Sequence, residues 1–396
     1  MRALRERLEW AMKWSRRSKQ VAAALEEEWR FIRRDVELMI QGIDLELSHE
    51  GIEEHTAETR LRYLRAYMRE QKREGWRYQE TLNREAIERF FEAYPDLPDE
   101  RIKIVFQLHG YLQTPHIWRE VNAHIERANQ RNLYGQKILP LPLGYYFFKK
   151  IDTNGRSIAR QIRETMHLIN RRAGRELHQF AAVGHSKGGI ILNMYMKNRL
   201  FEKVAPASGP FHVSHVVCVA SPHNGTYAAL IEDLFRAPCL GLGIRLTGGR
   251  ELKPYSDFLK RIHSLELPGL DDGEAATAYT IVRAGIFDYM VFNRFTHPHS
   301  MGRLEDWLYA LPGSTLLFNS RKGASQSRIN NYSERLAIPQ VRRCVLDQFG
   351  HLAPLFSEEG IRCMLANVGV EPTVRGGSYP AETSAPTDRR SWPIGA

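Results

Sequence analysis

The chain has 396 residues, 43% of them hydrophobic, and a formal net charge of +10. That is enough apolar material for one large α/β domain with an accessory segment, or for two domains, and it excludes a wholly disordered chain. The charge favours anionic surfaces; with no RNA- or DNA-reading motif beside it, no nucleic-acid partner is expected, and an anionic phospholipid surface is the better specific candidate. No apolar run approaches the roughly 20 residues that span a bilayer. The Arg16-Arg17 pair precedes only Val21 to Leu25 before Glu26, Glu27 and Glu28, too short and too acidic a stretch for a cleavable export signal. The expectation is a cytoplasmic protein, with peripheral membrane attachment as an addition. Cys218, Cys239, Cys344 and Cys363 show no CxxC spacing, which speaks against a zinc module and predicts free thiols.

Residues 1–98 read as a helical N-terminal extension. Leu8, Met12, Val21, Leu25, Trp29, Ile32, Val36 and Met39 recur near helical spacing. Leu61, Leu64 and Met68 stripe a second, heavily charged piece, and Pro95 and Pro98 stop a third. These helices suit a layer packed on the main domain, a basic membrane-surface helix or an arm for self-association.

From residue 99 to 370 the pattern changes to short apolar runs alternating with helical stretches, which marks a second domain. "IKIVFQLHGY" is a short apolar run ending in His-Gly, as a buried parallel strand would. A helix around "HIWREVNAHIERANQ", a strand at "KILPLPL" and a helix in "SIARQIRETMHLINRRAG" follow. Next come the strand "QFAAVG", a helix from Lys187 to about Leu200, and strands at "HVVCVAS", "AYTIVRAGIF" and "VRRCVLDQF". Strand and helix alternating at this pitch predict an α/β fold with a mostly parallel central sheet covered on both faces. Residues 227–276 form a lid- or cap-like insertion, and the Pro-, Ser-, Thr- and Gly-rich tail 371–396 is expected to be disordered.

Gly184, Ser186 and Gly188 match G-x-S-x-G, a pattern that average composition would produce by accident about once in ten chains of this length. Context strengthens it: a strand runs into the motif and an apolar helix leaves it. A nucleophile on such a strand-to-helix turn is crowded by neighbouring backbone, which small residues relieve, and the helix aims N–H groups where an oxyanion would develop. The alternative is an N-cap serine in an ordinary Gly-rich turn. A serine needs a base, and His351 stands after Gly350 just past a strand and before a helix. Asp288, ending the "AYTIVRAGIFD" strand, is the first choice of acid, with Asp271, Asp272 and Asp347 as rivals. The expected oxyanion donors are the amides of Lys187 and, on the "FQLHGYLQ" loop, Tyr111. His109, Gly110, His185 and His223 are expected to border the substrate site or shape its loops.

With "VFQLHGY", "AAVGHSKGG", "VVCVASPHNGT", "LKPYSDFLKRI", "IFDYMV" and "DQFGHLAPL" in this order, the chain resembles the α/β-hydrolase superfamily, in its lipase and esterase branch, over roughly residues 101–368. The resemblance implies an α/β-hydrolase fold and a carboxylic ester hydrolase acting on esters or lipids, with Ser186 as nucleophile, Asp288 as acid and His351 as base. It implies that Gly-His-Ser-x-Gly attacks the ester and that the Ser-Pro-His-x-Gly-Thr segment borders the acyl pocket. No metal and no organic cofactor is expected. Lys187 departs from the commoner methionine or glutamine after the serine and brings a positive charge near the oxyanion; "FDYMV" departs from the commoner D-x-V. Acyl transfer or thioester hydrolysis on the same fold, and a non-catalytic lipid-binding module, are the alternatives.

Overall fold

The computed structural model describes residues 51–70, 77–197 apart from 112 and 148, 211–223, 248–264 apart from 254 and 255, 277–284, 342–346 and 351–370, with further helical positions between 26 and 48. In chain order these comprise α1 (Ala57–Glu70), α2 (Arg77–Ala93), β1 (Ile102–Leu108), α3 (Arg119–Gln130), β2 (Lys137–Leu143), α4 (Ile151–Ala173), β3 (Gln179–His185) and α5 (Lys187–Lys197). There follow β4 (His212–Val219), α6 (Gly248–Glu251), α7 (Asp257–Ser264), β5 (Ala278–Ala284), β6 (Arg342–Leu346), α8 (Ala353–Phe356) and α9 (Glu358–Asn367). Each strand lies within or beside an apolar run picked out above. Helix α4 starts at Ile151, ahead of the predicted "SIARQ" start. Its first turn is held by the Asn154 amide, which donates to the Tyr146 carbonyl at 3.1 Å, a tie between side chain and distant loop that periodicity does not register.

The six strands form one parallel sheet in the order β2-β1-β3-β4-β5-β6. Among the described residues β2 pairs with β1 alone, which fits Pro140 and Pro142: a residue without an N–H costs least where no second strand needs that donor. Strand residues alternate between the two faces. Ile104, Phe106 and Leu108 pack with Phe180 and Ala182 under α2, α4 and α5, whereas Val105, Ala181, Val183 and Val217 pack on the other face against α3 and α9. Helix α2 supplies Ile87, Phe90 and Phe91 to the first of these clusters, and its Asn83 donates to the Pro142 carbonyl at 2.8 Å.

The chain order reverses between β1 and β3. In an open parallel sheet the crevice beyond the C-terminal ends of strands at such a reversal is where ligands bind. The loop after β1 and the turn after β3 carry the two motifs singled out in the sequence. This is an α/β fold: a parallel sheet with helices packed on both faces.

Two expectations meet the structure here. Cys218 is a buried free thiol, but Cys363 is disulfide-bonded, so the free-thiol reading is corrected for that residue; spacing along the chain says nothing of which turns meet in space. Among the described residues no helix is long and apolar enough to cross a membrane. The insertion is described only in α6, α7 and a few flanking residues, and the tail 371–396 lies outside the described residues.

Candidate active site

Ser186 occupies the one-residue turn between β3 and α5 with φ of 52°, in the left-handed region that a non-glycine residue rarely enters. Its amide donates to the Val219 carbonyl at 2.8 Å, and its own carbonyl accepts from the Gly189 amide at 3.1 Å. The flanking glycines are needed for space. A Cβ on Gly184 would stand 2.5 Å from the Gly188 carbonyl carbon and from the Gly189 amide, and one on Gly188 would stand 2.5 Å from the Leu108 carbonyl oxygen. The helix therefore crosses directly over the end of β1, which fixes the turn beside the loop that follows that strand.

That loop is built from His109, Gly110 and Tyr111. A Cβ on Gly110 would come within 2.9 Å of Ser186 Cβ, so the loop backbone touches the serine. The Gly110 amide donates to Gln113 Oε1 at 2.6 Å, which removes it from the set of oxyanion donors. His109 is fully buried, stacks on Tyr145 at 4.0 Å with the rings 5° from parallel, and donates from Nδ1 to the Gly110 carbonyl at 2.9 Å. The Tyr145 hydroxyl donates to the His109 carbonyl. Burial first, and the Lys187 charge further down, push the His109 pKa down to about 3, so the ring is a neutral prop of the loop. The Tyr111 ring meets Phe147 edge-on at 6.1 Å, and Phe147 lies against Tyr146, giving the site an aromatic wall.

His351, separated from the serine by most of the second half of the chain, arrives at this same place. Its backbone carbonyl oxygen lies 3.0 Å from His185 Nε2, and the two imidazole centroids are 4.8 Å apart. The expected base thus lies against the residue that precedes the expected nucleophile. The His351 residue is 4% exposed and Ser186 6%, so the serine is more enclosed than an open surface turn. His185 is fully buried, and its Nδ1 lies 2.9 Å from Gln113 Oε1.

The Lys187 ammonium was expected beside the oxyanion. It donates instead to the carbonyls of Phe147 at 2.5 Å and Lys149 at 2.8 Å, 5.4 Å from the centroid of the Tyr111 ring. It also lowers, though less than burial raises, the tendency of the Glu251 carboxyl to hold its proton; that carboxylate accepts from the Ile151 amide at the start of α4. His223 is buried behind the end of β4, its amide donating to the Ser221 carbonyl at 2.9 Å. Asp288 and its rivals Asp271, Asp272 and Asp347 lie outside the described residues. Among the described residues no group of three or more His, Cys, Asp or Glu side chains could hold a metal ion. Gln113 and Tyr145 escaped the sequence reading. Gln113 stands two residues after Tyr111 on the loop itself, but nothing local ties Tyr145 to it.

No protein-family model matches the chain, and no curated protein sequence does. Among solved structures, the mature lipase BlEst2 of Bacillus licheniformis is similar at 16% identity over 69% of this chain and 94% of that one, with a TM-score of 0.43. Phospholipase PlaB from Legionella pneumophila is similar at 18% identity over 47% of this chain, with a TM-score of 0.36; the chain spans 40% of that protein's length. Esterase B from Lactobacillus rhamnosis, inhibited by a tributyrin phosphonate, is similar at 14% identity over 67% of this chain and 75% of that one, with a TM-score of 0.37.

Proposed function

We propose that the chain is a serine hydrolase that cleaves carboxylic esters of lipids through an acyl-enzyme. The observation that carries this reading is the left-handed Ser186 turn at the sheet's reversal point, with the His351 segment hydrogen-bonded to the residue before it. His351 takes the proton from Ser186 Oγ as the oxygen attacks the ester carbonyl, and the amides of Tyr111 and Lys187 hold the negative oxygen of the tetrahedral intermediate. The imidazolium then protonates the leaving alcohol, and water repeats the sequence on the acyl-serine. Asp288 is the acid that holds the His351 ring in the required tautomer. The Tyr111 and Phe147 rings beside the loop support an apolar acyl group.

Replacing Ser186 with alanine is expected to abolish p-nitrophenyl ester turnover and labelling by a fluorophosphonate probe while circular dichroism stays unchanged. Turnover that survives the substitution refutes the assignment. An ester chain-length series with and without a lipid interface then separates a lipase from an esterase.

Attachment to an anionic membrane through the N-terminal helices is supported by Val36, Ile40 and Leu45, which are 45%, 37% and 46% exposed, and by the +10 net charge. Salt-sensitive flotation with anionic vesicles tests it, and no binding at low salt counts against it.

A further inference from the structure

His185 lies between two acceptors, an arrangement that an ester hydrolase mechanism does not call for. The Gly110 N–H can only donate, so the Gln113 amide must turn Oε1 towards it. The same oxygen lies 2.9 Å from His185 Nδ1, while His185 Nε2 faces the His351 carbonyl oxygen at 3.0 Å. Both neighbours of the imidazole are acceptors. Burial, with the nearby His351 and His109 rings adding to it, holds His185 well below its ordinary pKa, and a neutral ring has one N–H to give. Donated to Gln113, that proton would hold a side chain already fixed by Gly110. Donated to His351, it holds the backbone of the segment that carries the base.

We propose that His185 is a positioning residue whose Nε2–H, given to the His351 carbonyl, sets the base against the nucleophile's turn. Resting on the reading of Ser186 and His351 as nucleophile and base, this role takes His185 away from the substrate. Because His185 and Ser186 are consecutive, the bond fixes the base to the nucleophile through a single peptide unit. With the proton at Nε2, Nδ1 faces the Gln113 oxygen acceptor to acceptor, so the link runs through His351 alone. Misplacement of a catalytic group by about 1 Å costs on the order of 10²-fold in rate.

The test uses the geometry of amides, since a glutamine amide nitrogen reaches about as far as histidine Nε2 and an asparagine one about as far as Nδ1. His185→Ala, His185→Gln and His185→Asn are compared with the wild-type chain on p-nitrophenyl butyrate. The alanine variant should lose about 10- to 100-fold in kcat with KM within about threefold of wild type. Glutamine should recover most of that loss and asparagine should not, with fluorophosphonate labelling rates in the same order. Asparagine matching glutamine, a loss expressed in KM alone, or a ranking that follows melting temperature would overturn the proposal. Should the alanine variant not fold, the glutamine and asparagine pair decides. Failure of the hydrolase reading is separate: the wild-type chain would then not be labelled at Ser186 at all.

Discussion

Lys187 Nζ donates to the Phe147 carbonyl at 2.5 Å, tying the first residue of α5 to the aromatic wall after β2. With a second bond to Lys149 and no exposed surface, this ammonium is a structural cation within the Gly-x-Ser-x-Gly motif. Lys187→Met keeps the chain length but leaves two carbonyls without their charged donor. A loss of about 2–4 kcal/mol in urea unfolding is expected, because hydrogen bonds to charged groups are worth more than neutral ones. A cost below about 1 kcal/mol would show that the carbonyls find other donors.

Gly110→Ala brings a methyl group to 2.4 Å from Gln113 Oε1 and 2.9 Å from Ser186 Cβ. One contact sits on the loop after β1 and the other on the Ser186 turn, so under the proposed mechanism kcat should fall about 10²- to 10³-fold, the scale of losing one oxyanion donor. Steady-state kinetics with the folded variant measures this, and unchanged kcat would place the oxyanion donors elsewhere.

Acid should unfold the protein through its buried histidines. Unfolded imidazoles titrate near 6.5, whereas burial lowers His109 to about 3 and His116 to about 4. Below pH 6.5 the unfolded chain therefore binds more protons than the folded one, and stability falls as pH falls until the folded-state values are reached. Each of the two histidines contributes about 1.4 kcal/mol per pH unit, or about 2 kcal/mol each by pH 5. Above pH 6.5 neither contributes any dependence. Melting temperatures from pH 8 down to 4 should drop below pH 6.5, and His116→Gln should flatten the drop; a flat wild-type profile would contradict it.

The N-terminal helical positions touch the α/β domain at named points. Phe31 stacks on Phe356 at 5.4 Å with the rings 8° from parallel, five residues after His351. Arg34 pairs with Glu120 at 2.7 Å, and Arg119 donates to Gln41 at 2.7 Å. Phe31→Ala should cost on the order of 1 kcal/mol in stability, the worth of an aromatic pair. Deleting residues 1–48 should lower turnover of a soluble ester with no lipid present. A deletion that spares soluble turnover but abolishes vesicle binding would make the helix a membrane element alone.

Much of the fold was legible along the chain. β1, β3 and β4 are buried on both faces, so their apolar runs stand out without alternation. Ser186 was legible because a turn this crowded demands glycines, and glycines are visible in sequence. The partners that hold the site were not. Tyr145 and the Lys187 ammonium act on backbone carbonyls far away in sequence, and Gln113 on the backbone amide of Gly110, and backbone groups carry no residue signature.

Local sequence alone determined which segments are strands and which serine sits on a strand-to-helix turn, because apolar runs and glycines on both sides of a serine are visible in the chain itself. Only the tertiary structure decided that His351 lies against His185, that the Gly110 amide is taken by Gln113, and that the Lys187 charge is given to two carbonyls. Those contacts arise where the strand order reverses, which brings the ends of β1 and β3 side by side, with His351 against the last residue of β3.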